Sequence, residues 1–293
     1  MLRSEGLAVL LGLLSALAYA LGLVLQQRGA LQTRASEGRA KFLREVIAKP
    51  VWLLGVVSLV VGWAFQAAAL HFGSLALVQS IQALSLVFAL PLGVALSAQH
   101  VDRRSVLGAS IALVGIVTFV LVGQPGGGVP QPGTKAWLLS GLITVALMAV
   151  LAVLAWRRRG GVAAALFATG AGVGFAFQAA ATKMLVAQLD GGLVRVLTSW
   201  PLYVFALAEL AGFTLQQWAL KTGRLAPATA ALNCATLAVS FVLGITVFQE
   251  SLAAGLKSLL PALLGLVLAI VGVVVLATSQ GLARRTPVEQ RAD

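Results

Sequence analysis

Residues 51–70 read VWLLGVVSLVVGWAFQAAAL: twenty positions with no charge, no proline and a single amide, Gln66. A helix of that length covers about 30 Å, the thickness of a bilayer's hydrocarbon core. Outward from this stretch the pattern recurs. Gly6–Gln27, Val51–Leu70, Ser74–Ser97, Ser105–Val122, Ala136–Trp156, Val162–Thr182, Trp200–Leu220, Leu225–Val247 and Ser258–Thr278 make nine apolar runs in all. Their length and continuity exclude barrel strands, which would alternate over about ten residues. Trp52, Trp137, Trp156, Trp200 and Trp218 lie near run ends, where interfacial aromatics gather. The expectation is an all-α, polytopic helical membrane protein with nine transmembrane helices.

Composition agrees. Of 293 residues, 59% are hydrophobic and 10% charged, with a mean hydropathy of +0.97. Soluble domains carry about 25% charged residues, so this chain could not cover a water-facing surface. An ordinary soluble enzyme, a disordered chain and a nucleic-acid binder are excluded. One cysteine, Cys234, and two histidines, His71 and His100, leave no internal disulfide and no Cys-based zinc site.

The net charge of +12 describes topology. If alternate loops are assigned to alternate membrane sides, 16 of the 21 Lys and Arg fall on one side and 5 on the other. Excess Lys and Arg stays cytoplasmic, so the N-terminus is expected outside and the C-terminus inside, in the cell membrane. The first run has a basic start at Arg3 and an Ala16-Leu17-Ala18 stretch like a signal cleavage site. It exceeds a signal core in length and ends in Gln26-Gln27-Arg28, so a retained helix is expected. The 28–50 segment, with charges of both signs, reads as a cytoplasmic surface stretch on anionic lipid.

An offset of 150 aligns Gly62-Trp63-Ala64-Phe65-Gln66 with Gly212-Phe213-Thr214-Leu215-Gln216, and Ala69-Leu70 with Ala219-Leu220. At an offset of 157, Gly108, Ala112 and Gly115 meet Gly265, Ala269 and Gly272. The expected plan is one membrane domain over 1–293, with a first repeat at 6–122, a linker helix at 136–156, a second repeat at 162–279 and a cytoplasmic tail at 280–293. Five helices separate equivalent positions, so the second four-helix unit enters the membrane inverted. Inverted repeats of this 4+1+4 kind characterise secondary transporters, with solute sites at the repeat interface.

The Gly-x-x-x-Gln-x-x-Ala-Leu pattern, the polar-dotted helix after it and the Gly-x-x-x-Ala-x-x-Gly helix resemble the drug/metabolite transporter superfamily. Phe248-Gln249-Glu250, then Leu264-Gly265 and Val271-Gly272-Val273, is similar to the end motif of its EamA-type members. Nine runs, with Ser74-Leu75-Ala76-Leu77-Val78 leading to Ala83-Leu84-Ser85, look more like the NIPA branch. That resemblance implies magnesium or another divalent cation as cargo. The residues favour a small solute more broadly, because Mg²⁺ wants several oxygen ligands and sheds water reluctantly.

Candidate pathway residues follow from depth. Glu209 is the tenth residue of a 21-residue run and the one acidic residue deep in a run. Desolvation there favours the neutral acid, suiting a carboxyl that trades a proton for a cation; the alternative is a neutral acid bonding a neighbouring helix. Glu209, Gly212 and Gln216 share one helical stripe, matched by Leu59, Gly62 and Gln66. Gln79 and Gln82 lie three apart in the third run, with Ser80 beside them and Pro91 as the expected kink. The repeat partner of that run carries Asn233 and Thr236, and Gln178 and Thr182 continue a Gly170, Gly174 stripe. Each amide alone could join helices; as a set, Gln66, Gln79, Gln82, Gln178, Gln216 and Asn233 read as a pathway lining. The two Gly/Ala/Gly triplets are close-packing faces, joining the halves or forming a homodimer. Glu250, His71 and His100 are expected at the interface, and Lys183 either snorkels outward or pairs with Asp190. Cys234 reads as a small buried residue, and Gly126-Gly127-Gly128 as a flexible outside loop.

No Gly-x-x-x-x-Gly-Lys-[Ser/Thr] loop is present, so the chain has no ATP site of that kind, and no cofactor motif is seen. An intramembrane enzyme would need a nucleophile–base pair or a metal cluster at mid-depth. The expected partners are a small-molecule or ion substrate and the lipid bilayer, with no nucleic acid; a non-transporting scaffold is the rival.

Overall fold

Backbone amides in hydrocarbon must bond internally, so long apolar runs become helices. The computed structural model describes residues 2–31, 49–97, 103–129, 131–221, 225–252 and 255–282. Its helices are α1 (Leu2–Leu31), α2 (Pro50–Phe72), α3 (Leu75–Gln82), α4 (Ser85–Ser97), α5 (Arg103–Thr118), α6 (Thr134–Trp156), α7 (Gly160–Val186), the short α8 (Leu193–Thr198), α9 (Trp200–Lys221), α10 (Leu225–Thr246) and α11 (Gly255–Leu282). A π turn at Phe119–Gly123 extends α5. Two dipeptides, β1 (Pro125–Gly126) and β2 (Ser251–Leu252), pair antiparallel.

Among the described residues, helix lies at each of the nine apolar runs, and six spans are long and apolar enough to cross a membrane. These are Ser4–Gln26, Pro50–Phe72, Leu75–Leu96, Arg103–Gly123, Thr134–Trp156 and Gly160–Val186. Helix α9 has the length but carries Glu209, Gln216 and Gln217. In α10 and α11 the described apolar stretches, Ala231–Thr246 and Leu259–Val275, are shorter. The chain is an all-α, polytopic membrane protein, and its large apolar side chains face outward accordingly: Leu138 and Leu142 on α6 are each 67% exposed.

The inside is built from small residues. Ala16, Ala20, Ala69, Ala112, Ala164, Ala176 and Ala180 are fully buried, which lets backbones approach where no hydrophobic force between helices exists. Helix α7 is the most enclosed of the six spans and α6 the least. Helix α1 packs along α2 and α4, while α7 packs along α9 and α10. A methyl at Gly62 on α2 would sit 2.9 Å from the Tyr19 ring on α1. A methyl at Gly212 on α9 would sit 3.1 Å from the Phe175 ring on α7. Helix α5 lies along α11, and α3 lies against α10.

The α5–α11 crossing brings the two small-residue triplets face to face. A methyl on Gly265 would lie 2.7 Å from the Phe119 nitrogen and 2.9 Å from the Gly115 oxygen. One on Gly115 would collide with Ala269, and one on Gly272 with Ala112 and Gly108. These faces are therefore occupied within the chain and are not free for a homodimer.

The third run is two helices, broken at Ala83–Leu84, and Pro91, the expected kink, lies inside α4. Neither glycine nor proline marks that break. Ser80 one turn earlier donates its hydroxyl to the Ala76 carbonyl at 2.7 Å, a bond that bends helices. Trp137, in the first turn of α6, is buried against the protein, its ring 4.9 Å from that of Phe177 and edge-on to Trp200 and Phe248. Helix α11 continues through residues 280–282, into the segment expected as tail; residues 283–293 lie outside the described residues, as do His100 and most of the 28–50 stretch.

Candidate functional site

The amides expected to line a pathway fall into distinct surroundings. Between α1, α2 and α3 a polar web forms: the Tyr19 hydroxyl donates to Gln66 Oε1 at 3.2 Å, and Ser15 Oγ lies 2.8 Å from the Gly62 carbonyl and 2.9 Å from Gln82 Oε1. A single hydroxyl proton serves one of those two acceptors at a time. Gln66 and Gln82 are thus joined through Ser15, Gly62 and Tyr19. Gln178 and Thr182 on α7 bond to each other, with the Gln178 amide donating at 3.3 Å and the Thr182 hydroxyl donating to the Gln178 carbonyl at 3.0 Å.

Gln79 is different. It is 4% exposed, and its amide nitrogen has no hydrogen-bond partner. Ser240 on α10 is fully buried and its hydroxyl also lacks one. A methyl on Gly244 would lie 3.6 Å from Ala76 Cβ where α3 meets α10, and Gln79 and Ser240 each lie about one helical turn from those residues. Asn233 and Gln216 are half-buried on α10 and α9. Cys234 is half-buried, its thiol 3.8 Å from the Ile270 carbonyl.

Glu209 is half-buried on α9 and within electrostatic reach of the Tyr19 hydroxyl. Phe205, one turn earlier, packs on Trp63 of α2 with ring centroids 5.5 Å apart. No hydrogen bond or salt bridge holds Glu209 among the described residues.

The most elaborate polar constellation lies elsewhere, at the ends of four elements. Glu250 is 1% exposed at its side chain and pairs with Lys183 at 2.6 Å, so it is enclosed within the protein at these helix ends, and Lys183 pairs with it and not with Asp190. The Lys183 ammonium also lies 4.9 Å from the centre of the Phe248 ring, a cation–π distance. Glu250 Oε1 accepts the Leu75 amide at 2.5 Å and Oε2 the Ala76 amide at 3.0 Å. Ser74 Oγ accepts the Leu77 amide at 3.0 Å, and the Ser74 carbonyl accepts that of Val78. The first-turn amides of Leu75, Ala76 and Leu77, which a helix start leaves without helical partners, are thereby all satisfied, and the carboxylate sits at the positive end of the α3 dipole.

The backbone around Glu250 is shaped for this. Gly244 leaves room for the carboxylate, which a methyl there would strike, and the Gly244 carbonyl accepts the Glu250 amide at 2.9 Å. The 124–129 connection is not a free loop. Pro125 and Gly126 pair with Leu252 and Ser251, the Ser74 hydroxyl donates to the Pro125 carbonyl at 2.7 Å, and the Val129 amide donates to the Phe248 carbonyl at 2.7 Å. Gly128, with φ +88°, takes the left-handed turn this needs, and a side chain there would meet the Phe248 carbonyl at 2.5 Å. Beside this assembly lies a cavity of about 430 Å³ whose lining includes Glu5, His71, Ser74, Leu77, Lys183 and Asp190.

The chain is 30% identical over 251 residues to an uncharacterized protein of Corynebacterium glutamicum, covering 85% of this chain and 87% of that one. The chain belongs to that protein's family. No protein-family model matches the chain, and no solved structure matches it. The family member's name gives no substrate, so the chemistry rests on the residues themselves. Among the described residues, no three His, Cys, Asp or Glu side chains gather to hold a metal ion.

Lys183 and Glu250 were within reach of sequence reasoning as a pair. They are opposite charges at the ends of the sixth and eighth runs, which alternation places at one membrane face. What the sequence lacks is any local sign that residues 67 positions apart meet.

Proposed function

We propose that this protein is a secondary transporter of the drug/metabolite transporter type, EamA- or NIPA-like, moving a small solute across the cell membrane by alternating access. Its N-terminus faces outside and its C-terminus the cytoplasm. Two inverted repeats, 6–122 and 162–279, joined by the linker helix at 136–156, exchange conformations and so exchange which side is open. The observation that carries this reading is a recurring packing scheme. Helix α1 runs along α2 and α4 as α7 runs along α9 and α10, with glycines 150 positions apart, Gly62 and Gly212, each seating a ring of the neighbouring helix. The contacts α5–α11 and α3–α10 join a helix of one repeat to its counterpart in the other. A helix broken in mid-span, as between α3 and α4, is the element on which transporters build solute sites.

Glu209 is the proton-exchanging carboxyl in this reading, with Gln66, Gln79, Gln82, Gln178, Gln216 and Asn233 on the solute path. A small organic solute is preferred over Mg²⁺, since one carboxyl among amides offers little to a strongly hydrated divalent ion. The test is flux into proteoliposomes of Mg²⁺, organic cations and amino acids, with and without a pH gradient. One of these solutes is expected to move, and Glu209→Gln is expected to abolish the response to the gradient. Normal pH-dependent flux by Glu209→Gln would remove the proton-carrier role. No flux of any solute by the native protein would favour the scaffold reading.

A further inference from the structure

We propose that the Lys183–Glu250 ion pair, seated on the first turn of α3 and strapped by the β1–β2 bridge, is a releasable latch that closes the solute path at one membrane face. The proposal rests on the transport reading above and adds the device that gates it.

The latch joins parts that an opening motion must separate. Lys183 ends α7, Glu250 follows α10, and the amides of Leu75 and Ala76 start α3. Pro125 and Gly126, between α5 and α6, clamp the same point through Ser74 and β2. Two carbons and a carboxylate of one residue, Glu250, thus tie two repeats together, because α3 and α7 touch it from opposite halves. If Glu250 lets go, Lys183 and the α3 amides lose their common acceptor together.

Its chemistry suits release better than permanent bracing. A buried ion pair contributes little net stability compared with an apolar pair of similar size, because both charges must be desolvated. A static joint in this setting would be served equally by packed Leu and Phe. Charges, in contrast, can exchange protein partners for water once water arrives. Water has a short way to come: Lys183, Ser74 and Leu77 themselves line the cavity of about 430 Å³. The strap is two residues long on each side, short enough to part without unravelling a sheet.

The moving piece is also defined. Helix α3 is eight residues long and ends at the Ala83–Leu84 break. Anchored at its start by the latch and jointed at its end, it can swing as one rigid piece of about two turns. Gln79, whose amide nitrogen is buried without a partner, rides on that piece. Swinging α3 would bring this amide to water or solute, which explains how a closed state tolerates it.

The test is thiol labelling in detergent solution, where both faces are accessible. Cys234→Ala removes the native thiol, Ser80→Cys reports on the buried side of α3 beyond the latch, and Glu5→Cys reports on the exposed rim. With the latch intact, the cysteine at 80 is expected to react slowly with a charged thiol reagent. Lys183→Met or Glu250→Gln is expected to speed that reaction about tenfold or more, as loss of a buried charge partner implies, with the cysteine at 5 unchanged. Unchanged rates at position 80 in folded, monodisperse Lys183→Met and Glu250→Gln proteins would overturn the latch. Should those variants misfold, the native pair is tested by Gly126→Cys with Ser251→Cys. Oxidation is expected to join the strap and arrest flux, and reduction to restore it. Failure of this disulfide to form, or full flux when it has formed, also overturns the proposal. Absence of flux in the native protein overturns the transport reading alone and leaves the labelling to judge the latch.

Discussion

Replacing Gly265 by alanine adds one methyl to the α5–α11 seam, and the outcome can be worked from the contacts. The new carbon would lie 2.7 Å from the Phe119 nitrogen, 2.9 Å from the Gly115 oxygen and 3.1 Å from Thr118 Cβ. Ordinary contact begins at 3.4 Å, so α5 and α11 must part by roughly half an ångström or more. Two of the three obstructing atoms are backbone and cannot rotate aside. Overpacking of this kind costs about 1–3 kcal/mol, and the better helix propensity of alanine returns up to about 1 kcal/mol. A net loss of about 1–2 kcal/mol is expected. Gly272→Ala, whose methyl would meet Ala112 backbone more closely still, should lose more. The control is Gly141→Ala in α6, where the methyl would sit 3.4 Å from Phe177 Cζ, and which should be neutral or slightly stabilising. Denaturant titration in micelles, followed by tryptophan fluorescence, measures all three. If Gly265→Ala and Gly272→Ala unfold at the same midpoint as Gly141→Ala, the two small-residue faces do not form the seam.

Two further outcomes follow from the same geometry. Gly244→Ala pushes a methyl into the place of the Glu250 carboxylate and should speed labelling of a cysteine at position 80 as Glu250→Gln does; native-like protection would show that the carboxylate has other room. Gln79→Leu removes a buried amide nitrogen that has no partner, so heating in detergent should leave the variant at least as monodisperse as the native protein; a clear drop would reveal a partner for the amide. Flux by the same variant should fall if Gln79 meets the solute.

The residues expected on the solute path divide according to how local their signal is. Gln66 and Gln82 were legible as amides in apolar runs that must find partners, which they do in Tyr19 and Ser15 of α1. The facing of Gly108, Ala112 and Gly115 to Gly265, Ala269 and Gly272 was legible as two close-packing stripes, though not as a contact between them. Glu209 was legible by depth, while its half-buried setting near Tyr19 was not. The enclosure of Glu250 was not legible, because a charge beside a helix end reads as open to water unless its partners are known.

By itself the sequence determined that this chain is helical and lives in a membrane: hydrocarbon leaves a backbone of such composition no other way to bond its amides. It also determined where the long apolar helical stretches lie, since helix bonds close within four residues and depend on local composition. Tertiary structure alone decided the break at Ala83–Leu84, the burial of Trp137 against Phe177, and the meeting of Lys183, Glu250 and the α3 amides. Glu250 stands 175 positions from Leu75. Such contacts depend on which faces of distant helices come together, and no window of sequence carries that choice.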